Sequence, residues 1–462
     1  IDPAKRPSKT HSTFSAAAFN YMNSILGSGV IGMSFALKET GIGLGIMLLV
    51  FVGIINDISL VLMVKGGNLA GVSTYQDLMM FAFGRKGFYV LTVLQFIYPI
   101  IAMISYNIVI GDTWSRLMVR LTKLPPTHAV CRREFVIVVM TLLCTLPMSL
   151  YRNITKLGKI SLVSVVFLVL ILIIIVARFV TLGDLIEPTP DAWSFANSGI
   201  TRGIGVMSFA YMCHHNSFLL YNSMDERSLE KWEKVTHISV AASAVFIVIF
   251  GTFGYATFTG LTQGDLLENY CQDDDLVNVA RAIFSVTVMM TFPIECFVAR
   301  EVIERTFWSA HDTITLEDGV ERIEAATPWY RHMVITVGTV VFVCIVTLFV
   351  DCLGAVLELN GLLAAIPLAY ILPTACFIRI DSSSPRTSKL KLMAYVCCVF
   401  GVLVSFVGLI MFIIDYSSDS VSSCSHGTEM PYCPLPIVSS AKTGLAAMAK
   451  NASLTRTGFG RS

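Results

Sequence analysis

Three small residues, Gly27, Ser28 and Gly29, interrupt an apolar segment that is otherwise long enough to cross a membrane as one helix. In hydrocarbon every backbone amide must be satisfied within the protein, so such a break is tolerated only where it is buried or lines a cavity. A half-helix end there would offer unpaired amides and a positive dipole end to a carboxylate. The competing interpretation is a close-packing face, because Gly32 and Ala36 continue the pattern of small residues.

A second apolar segment, residues 200–220, carries a comparable interruption in the stretch GIGVMSFAYMCHHN. Its glycines and polar residues make a poor continuous membrane helix, so another half-helix end is expected near residues 206–209. Breaks at corresponding positions of two halves mark the substrate site of an inverted-repeat transporter. Amides at one half-helix end suit a carboxylate, and free carbonyls at the other suit an ammonium group or Na⁺. The two breaks together predict a site for an amino acid zwitterion.

The adjacent histidines His214 and His215 follow the second break. Neighbouring helical residues point about 100° apart, so the two rings do not form the paired ligands that an i, i+4 spacing would give. We expect His214 to be a core residue with a hydrogen-bond partner. His215 and His426 are the candidates for pH sensitivity.

A stripe of oxygen-bearing side chains marks the eighth apolar segment, where Thr287, Thr291 and Glu295 are spaced at i, i+4 and i+8. They share one helix face, and hydroxyl oxygens are suitable hard ligands for a small cation. The alternative is that each threonine donates to a carbonyl of its own helix. In the third segment Tyr106 and Asn107 are candidate substrate contacts, with core packing as the alternative.

Acidic side chains within apolar segments are costly and are functional by default. Glu295 is a candidate for proton coupling. Asp57 is expected to accept a hydrogen bond from the backbone or from Asn56, with an ion-binding role as the alternative. Glu358 is expected to line an outer vestibule.

The composition is that of an all-α polytopic membrane protein. Of 462 residues, 55% are hydrophobic and 14% are charged, and the mean hydropathy is +0.70. A soluble domain carries nearer 25% charged residues. The formal net charge of +1 and the lack of a basic stripe exclude a nucleic-acid partner. The Ser, His and Asp residues near 208–225 form no nucleophile motif, so an enzyme is not expected.

Eleven segments have the length of a transmembrane helix. They are expected near 14–37, 43–65, 88–112, 134–150, 160–181, 200–220, 236–259, 278–300, 331–350, 354–378 and 393–415. The corresponding divisions are an amino-terminal tail (1–13), a first repeat (14–181), a second repeat (200–378), an eleventh span (393–415) and a carboxyl-terminal tail (416–462).

The loop charges favour a cytosolic amino end. With that orientation most of the 33 Lys and Arg residues lie on the inner side, as the positive-inside rule requires. The exception is the basic loop after the third span, residues 116–133. Eleven spans then place the carboxyl-terminal tail outside the cytosol, and the apolar run after the first residues has no signal-peptide cleavage site.

Four of the twelve cysteines are expected in loops, and two glycosylation sequons test the orientation. The loop cysteines are Cys131, Cys271, Cys424 and Cys433. We expect a disulfide between Cys424 and Cys433, with Cys271 paired to either one as the alternative. The sequon at Asn451 is a glycosylation candidate in the exported tail, whereas Asn153 lies in a cytosolic loop and should stay bare.

At these motifs the sequence resembles the sodium-coupled neutral amino acid transporters, in the amino acid/auxin permease group of the amino acid, polyamine and organocation superfamily. The matching stretches are FNYMNSILGSGVIGMSFAL, SFAYMCHHNSFLLYNSM, FGYATFTG, TFPIECFVAR and ILPTACFIRI. The similarity covers about residues 14–415. It implies eleven spans in a five-plus-five inverted repeat, similar to the bacterial leucine transporter, with discontinuous helices one and six.

The resemblance also implies roles for individual residues. The coupling Na⁺ is assigned to Asn23 and Thr291, with the Leu26 carbonyl and Thr287 as lesser ligands. The substrate carboxylate is assigned to Gly27, Ser28 and Gly29, and the substrate ammonium to Ser208, Phe209 and Ala210. Two departures stand out: Glu295 replaces an arginine of well-studied members, and LELNG at 357–361 replaces a run of small hydroxyl residues.

The sequence therefore predicts a Na⁺-coupled symporter of neutral amino acids such as glutamine, alanine and asparagine. The alternatives are a proton-coupled permease of the same fold and an amino acid sensor that signals through loops such as 301–330. Na⁺ is the one cofactor expected, with no organic cofactor. The expected surroundings are the lipid bilayer of the plasma membrane, or else of the lysosome, without an obligate protein partner.

Overall fold

The computed structural model describes residues 14–151, 161–183, 185–224, 228–307, 328–417 and 430–433. The chain divides into two compact units, Ile1–Gly427 and Thr428–Ser462. The first unit is built from α-helices and short 3₁₀ and π turns. The second is described only over residues 430–433, where the chain makes a turn.

Fifteen α-helices are described in the first unit. They are α1 (Phe14–Ile25), α2 (Met33–Thr40), α3 (Ile42–Ala70), α4 (Tyr75–Thr122), α5 (Arg133–Met140), α6 (Leu146–Ser149), α7 (Ser161–Leu182), α8 (Ile200–Ala210), α9 (His214–Ser223), α10 (Leu229–Phe258), α11 (Asp275–Phe307), α12 (Trp329–Phe349), α13 (Leu353–Asn360), α14 (Leu372–Ile380) and α15 (Lys389–Ser417).

Eight stretches among the described residues are long and apolar enough to cross a membrane. These are 42–70, 75–122, 163–182, 229–261, 275–304, 329–349, 353–380 and 389–417. The other three expected spans, 14–37, 134–150 and 200–220, fall on helices that are interrupted or short. All-helical architecture is thus confirmed, whereas the count of eleven and the inverted repeat stay predictions.

The third and tenth expected spans are not single continuous helices. The third was expected at 88–112, but α4 starts at Tyr75, where the Thr74 hydroxyl accepts a hydrogen bond from the Asp77 amide at 3.1 Å. Within α4, Gly84 has φ of 64° and breaks the helix into two parts. The tenth expected span contains π turns at 361–365 and 367–371 between α13 and α14.

The interrupted helices lie among the long ones. The most extensive helix pair is α4 with α11, α10 packs against α1, α2 and α3, and α8 packs against α2 and α13. Glycines permit the closest approaches: a Cβ on Gly32 would lie 2.6 Å from Leu357 Cδ1 and 3.1 Å from Val206 Cγ1. This packing covers the backbone on both sides of the two breaks.

Carboxylates of the 268–275 region pair with the basic residues that break the positive-inside pattern. Arg120 contacts Asp273 at 3.2 Å and Asp275 at 3.0 Å, and the Arg116 guanidinium lies 3.5 Å from Glu268. The positive-inside rule counts Lys and Arg regardless of neighbouring carboxylates, so this basic loop remains an exception to the rule.

Arg133 and Asp112 form a buried ion pair beside this region. The guanidinium Nε lies 2.6 Å from Asp112 Oδ1, and its other nitrogens donate to the carbonyls of Thr347 and Val350. Their side chains are 9% and 1% exposed, whereas those of Arg120 and Asp275 are 39% and 76% exposed. Arg133 thereby links α4 and α5 to the end of α12.

Removing the buried carboxylate should destabilise the protein far more than removing an exposed one. Asp112→Ala leaves the Arg133 charge buried without its counter-ion, which costs about 3–5 kcal/mol. The matched Asp275→Ala loses an exposed pair worth about 0–1 kcal/mol. Denaturant unfolding in detergent measures both, and equal losses would contradict the assignment of Arg133 and Asp112 as the pair that stabilises this region.

The loop that follows α10 contains an acid with an unusual environment. Asp265 is buried, and its Oδ1 accepts a hydrogen bond from the Leu267 amide at 2.9 Å. Burial, reinforced by the negative charges of Glu268 and Asp112 and opposed by Arg281, raises the pKa of Asp265 to about 8. The folded protein therefore holds this proton at pH values where the unfolded chain has released it.

This raised pKa sets a direction for pH dependence. Because the folded pKa of Asp265 exceeds its unfolded value, its contribution to stability is full in acid and declines as pH rises toward about 8. The decline is at most about 1.4 kcal/mol per pH unit. Between about pH 5 and about pH 8, the unfolding temperature should fall less steeply with pH in Asp265→Asn than in the wild type. Identical slopes would contradict the prediction.

Two of the disulfide candidates, Cys271 and Cys433, are disulfide-bonded, and Cys131 is a buried free thiol. Cys352, at the start of α13, is also disulfide-bonded and was missed because it borders an apolar segment. Cys424 lies outside the described residues, so its pairing with Cys433 stays a prediction. Asn153, Asn451 and His426 lie outside them as well.

Candidate functional site

The first expected helix break lies where the chain leaves α1. The Leu26 amide still donates to the Met22 carbonyl at 2.8 Å, but Gly27 is extended, with φ of −77° and ψ of −154°. A 3₁₀ turn over Ser28–Gly32 then leads into α2. The small residues thus end one helix and start another in mid-segment.

The second break separates α8 from α9 at residues 211–213. Tyr211 ends α8 with its amide bonded to the Met207 carbonyl, and Cys213 leaves helical geometry at φ of −143° and ψ of 6°. The predicted half-helix end near 206–209 therefore lies a few residues too early, because α8 continues to Ala210.

The two breaks touch each other. A Cβ added to Gly29 would lie 2.6 Å from Ala210 Cα and 3.1 Å from Phe209 Cδ1, whereas one added to Gly27 would meet nothing within 4 Å. Gly29 therefore serves close packing, and Gly27 borders open space. The two interpretations of the small-residue stretch thus apply to different residues.

A small cavity of about 40 Å³ lies at this contact. Its walls come from α1, α4, α8, α9, α11 and the two breaks. The lining residues are Asn23, Ser24, Ile25, Gly27, Ser28, Gly29, Tyr98, Tyr106, Phe209, Ala210, Met212, His215, Asn216, Thr291, Ile294 and Glu295.

Most of the predicted site residues lie on this wall. Those brought together are Asn23, Gly27, Ser28, Gly29, Tyr106, Phe209, Ala210 and Thr291. Leu26, Ser208 and Thr287 are buried but are not among the lining residues. The structure thus places the two breaks and the threonine of α11 around one space.

The threonines of α11 bond back to their own helix. Thr287 Oγ1 donates to the Ile283 carbonyl at 3.0 Å, and Thr291 Oγ1 donates to the Thr287 carbonyl at 2.9 Å. Both hydroxyl hydrogens are therefore donated to carbonyls of the same helix, as the second interpretation of the threonine stripe predicts. This leaves the oxygen lone pairs of Thr291, which is on the cavity wall, available to a ligand.

The two histidines have separate environments. His214 is fully buried, and its Nε2 lies 2.8 Å from the Ser59 hydroxyl, as expected of a core residue. His215 lines the cavity, where its Nε2 lies 2.9 Å from Asn216 Nδ2 and 3.8 Å from Glu295 Oε1. Across the described ranges, no three His, Cys, Asp or Glu side chains come together as a metal site.

Two acidic side chains outside the cavity differ from each other in their surroundings. Asp57 was expected to accept from the backbone or Asn56, but its Oδ2 lies 2.6 Å from His237 Nδ1 on α10. Long-range pairing of this kind has no local sequence signal. Glu358 is buried in α13, apart from the lining residues.

Sequence reasoning missed Tyr98, Met212 and Asn216 on the wall. A signal for Tyr98 was present, because it precedes Tyr106 by two helical turns and adjoins Pro99 inside α4. Pro293 similarly lies inside α11 between wall residues. Prolines inside membrane helices free backbone groups, so they point to places where another partner is needed.

A model of the family described as "Transmembrane amino acid transporter protein" matches residues 10–414. The chain is 47% identical over 419 residues to a Bos taurus protein named "Putative sodium-coupled neutral amino acid transporter 11", covering 91% of this chain and 86% of the bovine one. The Homo sapiens protein of the same name is 46% identical, with 86% and 93% covered. "Vacuolar amino acid transporter 2" of Saccharomyces cerevisiae is 32% identical, with 90% and 86% covered.

Solved structures resemble the chain in fold. The Eremococcus coleocola manganese transporter aligns with a TM-score of 0.53 at 13% identity, and the alignment covers 88% of each chain. At this identity the likeness concerns the fold alone.

The two glycines of the first break should respond differently to substitution. Gly29→Ala forces the two breaks apart, because its methyl group would overlap Ala210, and overpacking of this kind costs about 1–3 kcal/mol. Gly27→Ala meets open space and should unfold near the wild-type temperature. Thermal unfolding in detergent checks both variants, and equal stability of the two would contradict the packing role of Gly29.

Proposed function

Because the chain belongs to the transmembrane amino acid transporter family, we propose that it is a secondary active transporter that carries neutral amino acids by Na⁺-coupled symport. The proposed substrates are neutral amino acids such as glutamine, alanine and asparagine. Transport proceeds by alternating access, and no organic cofactor takes part.

One observation carries the proposal: two broken helices meet at a single cavity that also includes Asn23 and Thr291. Backbone groups freed at membrane depth need partners, and a zwitterion supplies both signs of charge. A lumen of this kind suits a small amino acid better than an apolar ligand.

The wall residues divide by their chemistry. The amides of Gly27, Ser28 and Gly29 suit the substrate carboxylate, and carbonyls near the second break suit the ammonium, with Tyr106 beside them. Phe209, Ala210 and the adjacent Ser208 shape that side of the site.

The donors for Na⁺ are neutral oxygens. The Asn23 amide and the Thr291 hydroxyl face the cavity, and Leu26 and Thr287 are the neighbouring candidates. Hard oxygen donors of this kind fit an alkali cation. Na⁺ held beside the first break would stabilise the conformation that binds substrate, so that each ligand raises the affinity for the other.

We further propose that the protein lies in the plasma membrane, with its amino end in the cytosol and residues 416–462 on the extracytosolic side. The name of the yeast relative supports a lysosome-like membrane as the alternative.

Proton coupling is the second candidate mechanism, because Glu295 and His215 both line the cavity. Residues 308–327, in the loop that would signal in a sensor, lie outside the described residues.

Uptake by purified protein in proteoliposomes tests the proposal. Radiolabelled alanine or glutamine should accumulate only with an inward Na⁺ gradient. Thr291→Val should lower the apparent Na⁺ affinity by about tenfold or more, because it removes an oxygen ligand to a charged group, worth about 1.5–3 kcal/mol. Thr306→Val is the matched control, since Thr306 also bonds back within α11 but lies away from the cavity.

Two results would contradict the proposal. The first is an absence of uptake for every amino acid in liposomes with verified protein orientation. The second is uptake driven equally by a proton gradient in wild type and Thr291→Val, which would favour the proton-coupled permease.

A further inference from the structure

The cavity contains a carboxylate without a cationic side chain beside it. Glu295 is 5% exposed, and its Oε2 has no hydrogen-bond partner among the described residues. No lysine or arginine occurs among the lining residues, so the described wall carries one potential negative charge and no permanent positive one.

The groups around Glu295 do not satisfy it. His215 Nε2 is 3.8 Å from Oε1, too far for a hydrogen bond, and the same nitrogen lies 2.9 Å from Asn216 Nδ2. Tyr98, packed on His215, and Tyr106 complete the titratable groups of α4 that face the carboxylate. Both tyrosines are neutral donors at most.

A buried carboxylate needs a partner that supplies charge and hydrogen bonds together. A single proton would neutralise Glu295 but leave its second oxygen as a buried acceptor without a donor. An ammonium group offers three donors, and a guanidinium binds both carboxylate oxygens at once. The site is therefore most complementary to an organic cation that enters and leaves with the substrate.

We propose that Glu295 is a specificity-determining residue that pairs with a cationic substrate side chain, so that the cavity accepts basic amino acids such as lysine and arginine. This inference rests on the proposed function, since it assumes that amino acids bind at this cavity. The substrate carboxylate and ammonium occupy the helix breaks, and the third charge of a basic amino acid meets Glu295.

The charge of the wall agrees with this substrate class. A basic amino acid carries a net charge of +1, which offsets the negative charge of the wall. His215 Nδ1, which also has no partner among the described residues, adds a polar group beside Glu295 for the same side chain.

The experiment compares lysine and alanine uptake in proteoliposomes containing wild-type protein, Glu295→Gln or Glu358→Gln. Wild-type protein should take up both. Glu295→Gln should lower the ratio of lysine to alanine uptake by at least about tenfold, as expected when one partner of a buried charge pair is removed. Glu358→Gln is the matched control, because Glu358 is equally buried but does not line the cavity. Its ratio should equal that of the wild type.

An unchanged ratio in Glu295→Gln overturns the inference, as does a variant that changes only the proton or Na⁺ dependence of uptake. Competition in wild-type protein gives a measurement independent of variant folding: unlabelled lysine should inhibit alanine uptake, and a failure to inhibit overturns the inference. If the wild type transports alanine but not lysine, only this inference fails. If it transports no amino acid, the proposed function fails first.

Discussion

The need to satisfy backbone hydrogen bonds in hydrocarbon governs the centre of this protein. The α1 and α8 helices stop inside the packed protein, and the amides and carbonyls freed there need partners within it. The long helices α4, α10 and α11 surround the breaks, and Gly29 lets the backbone of one approach Ala210 of the other. Such an arrangement is stable only with small residues at the contact and polar partners in the space between. The cavity is the geometric result of that requirement.

The charged side chains near the end of α4 are paired with one another, whereas the carboxylate at the cavity is not. Arg116, Arg120 and Arg133 each have an acidic partner, and Arg133 also donates to backbone carbonyls. At the cavity the opposite holds, because the groups nearest Glu295 are His215, 3.8 Å away, and two tyrosines. The charges at the end of α4 therefore balance one another and stabilise the fold. The carboxylate of Glu295 has no such counter-charge on the cavity wall, and the proposed substrate supplies it.

Sequence reasoning located the breaks because glycine and serine within an apolar run are physically conspicuous, and periodicity placed Thr291 and Glu295 on one face. It was less successful where the information is tertiary. Thr287 shares its helix face with Thr291 but lies one turn earlier in α11, beyond the wall. Ser208 is buried beside two wall residues without lining the cavity, and Tyr98 joins the wall through the packing of α4 on α11. The His237 partner of Asp57 and the disulfide of Cys352 likewise depend on distant segments.

The hydrogen bond from Thr291 to the Thr287 carbonyl bears on how fast an ion can exchange at the cavity. With its hydrogen already committed to the helix, the Thr291 oxygen presents lone pairs alone, so an arriving cation has no hydroxyl to reorient. In the proposed Na⁺ site, this ligand would therefore be preorganised before the ion arrives. Under that proposal, selectivity at this position depends on the spacing of the helices and not on a side-chain rearrangement.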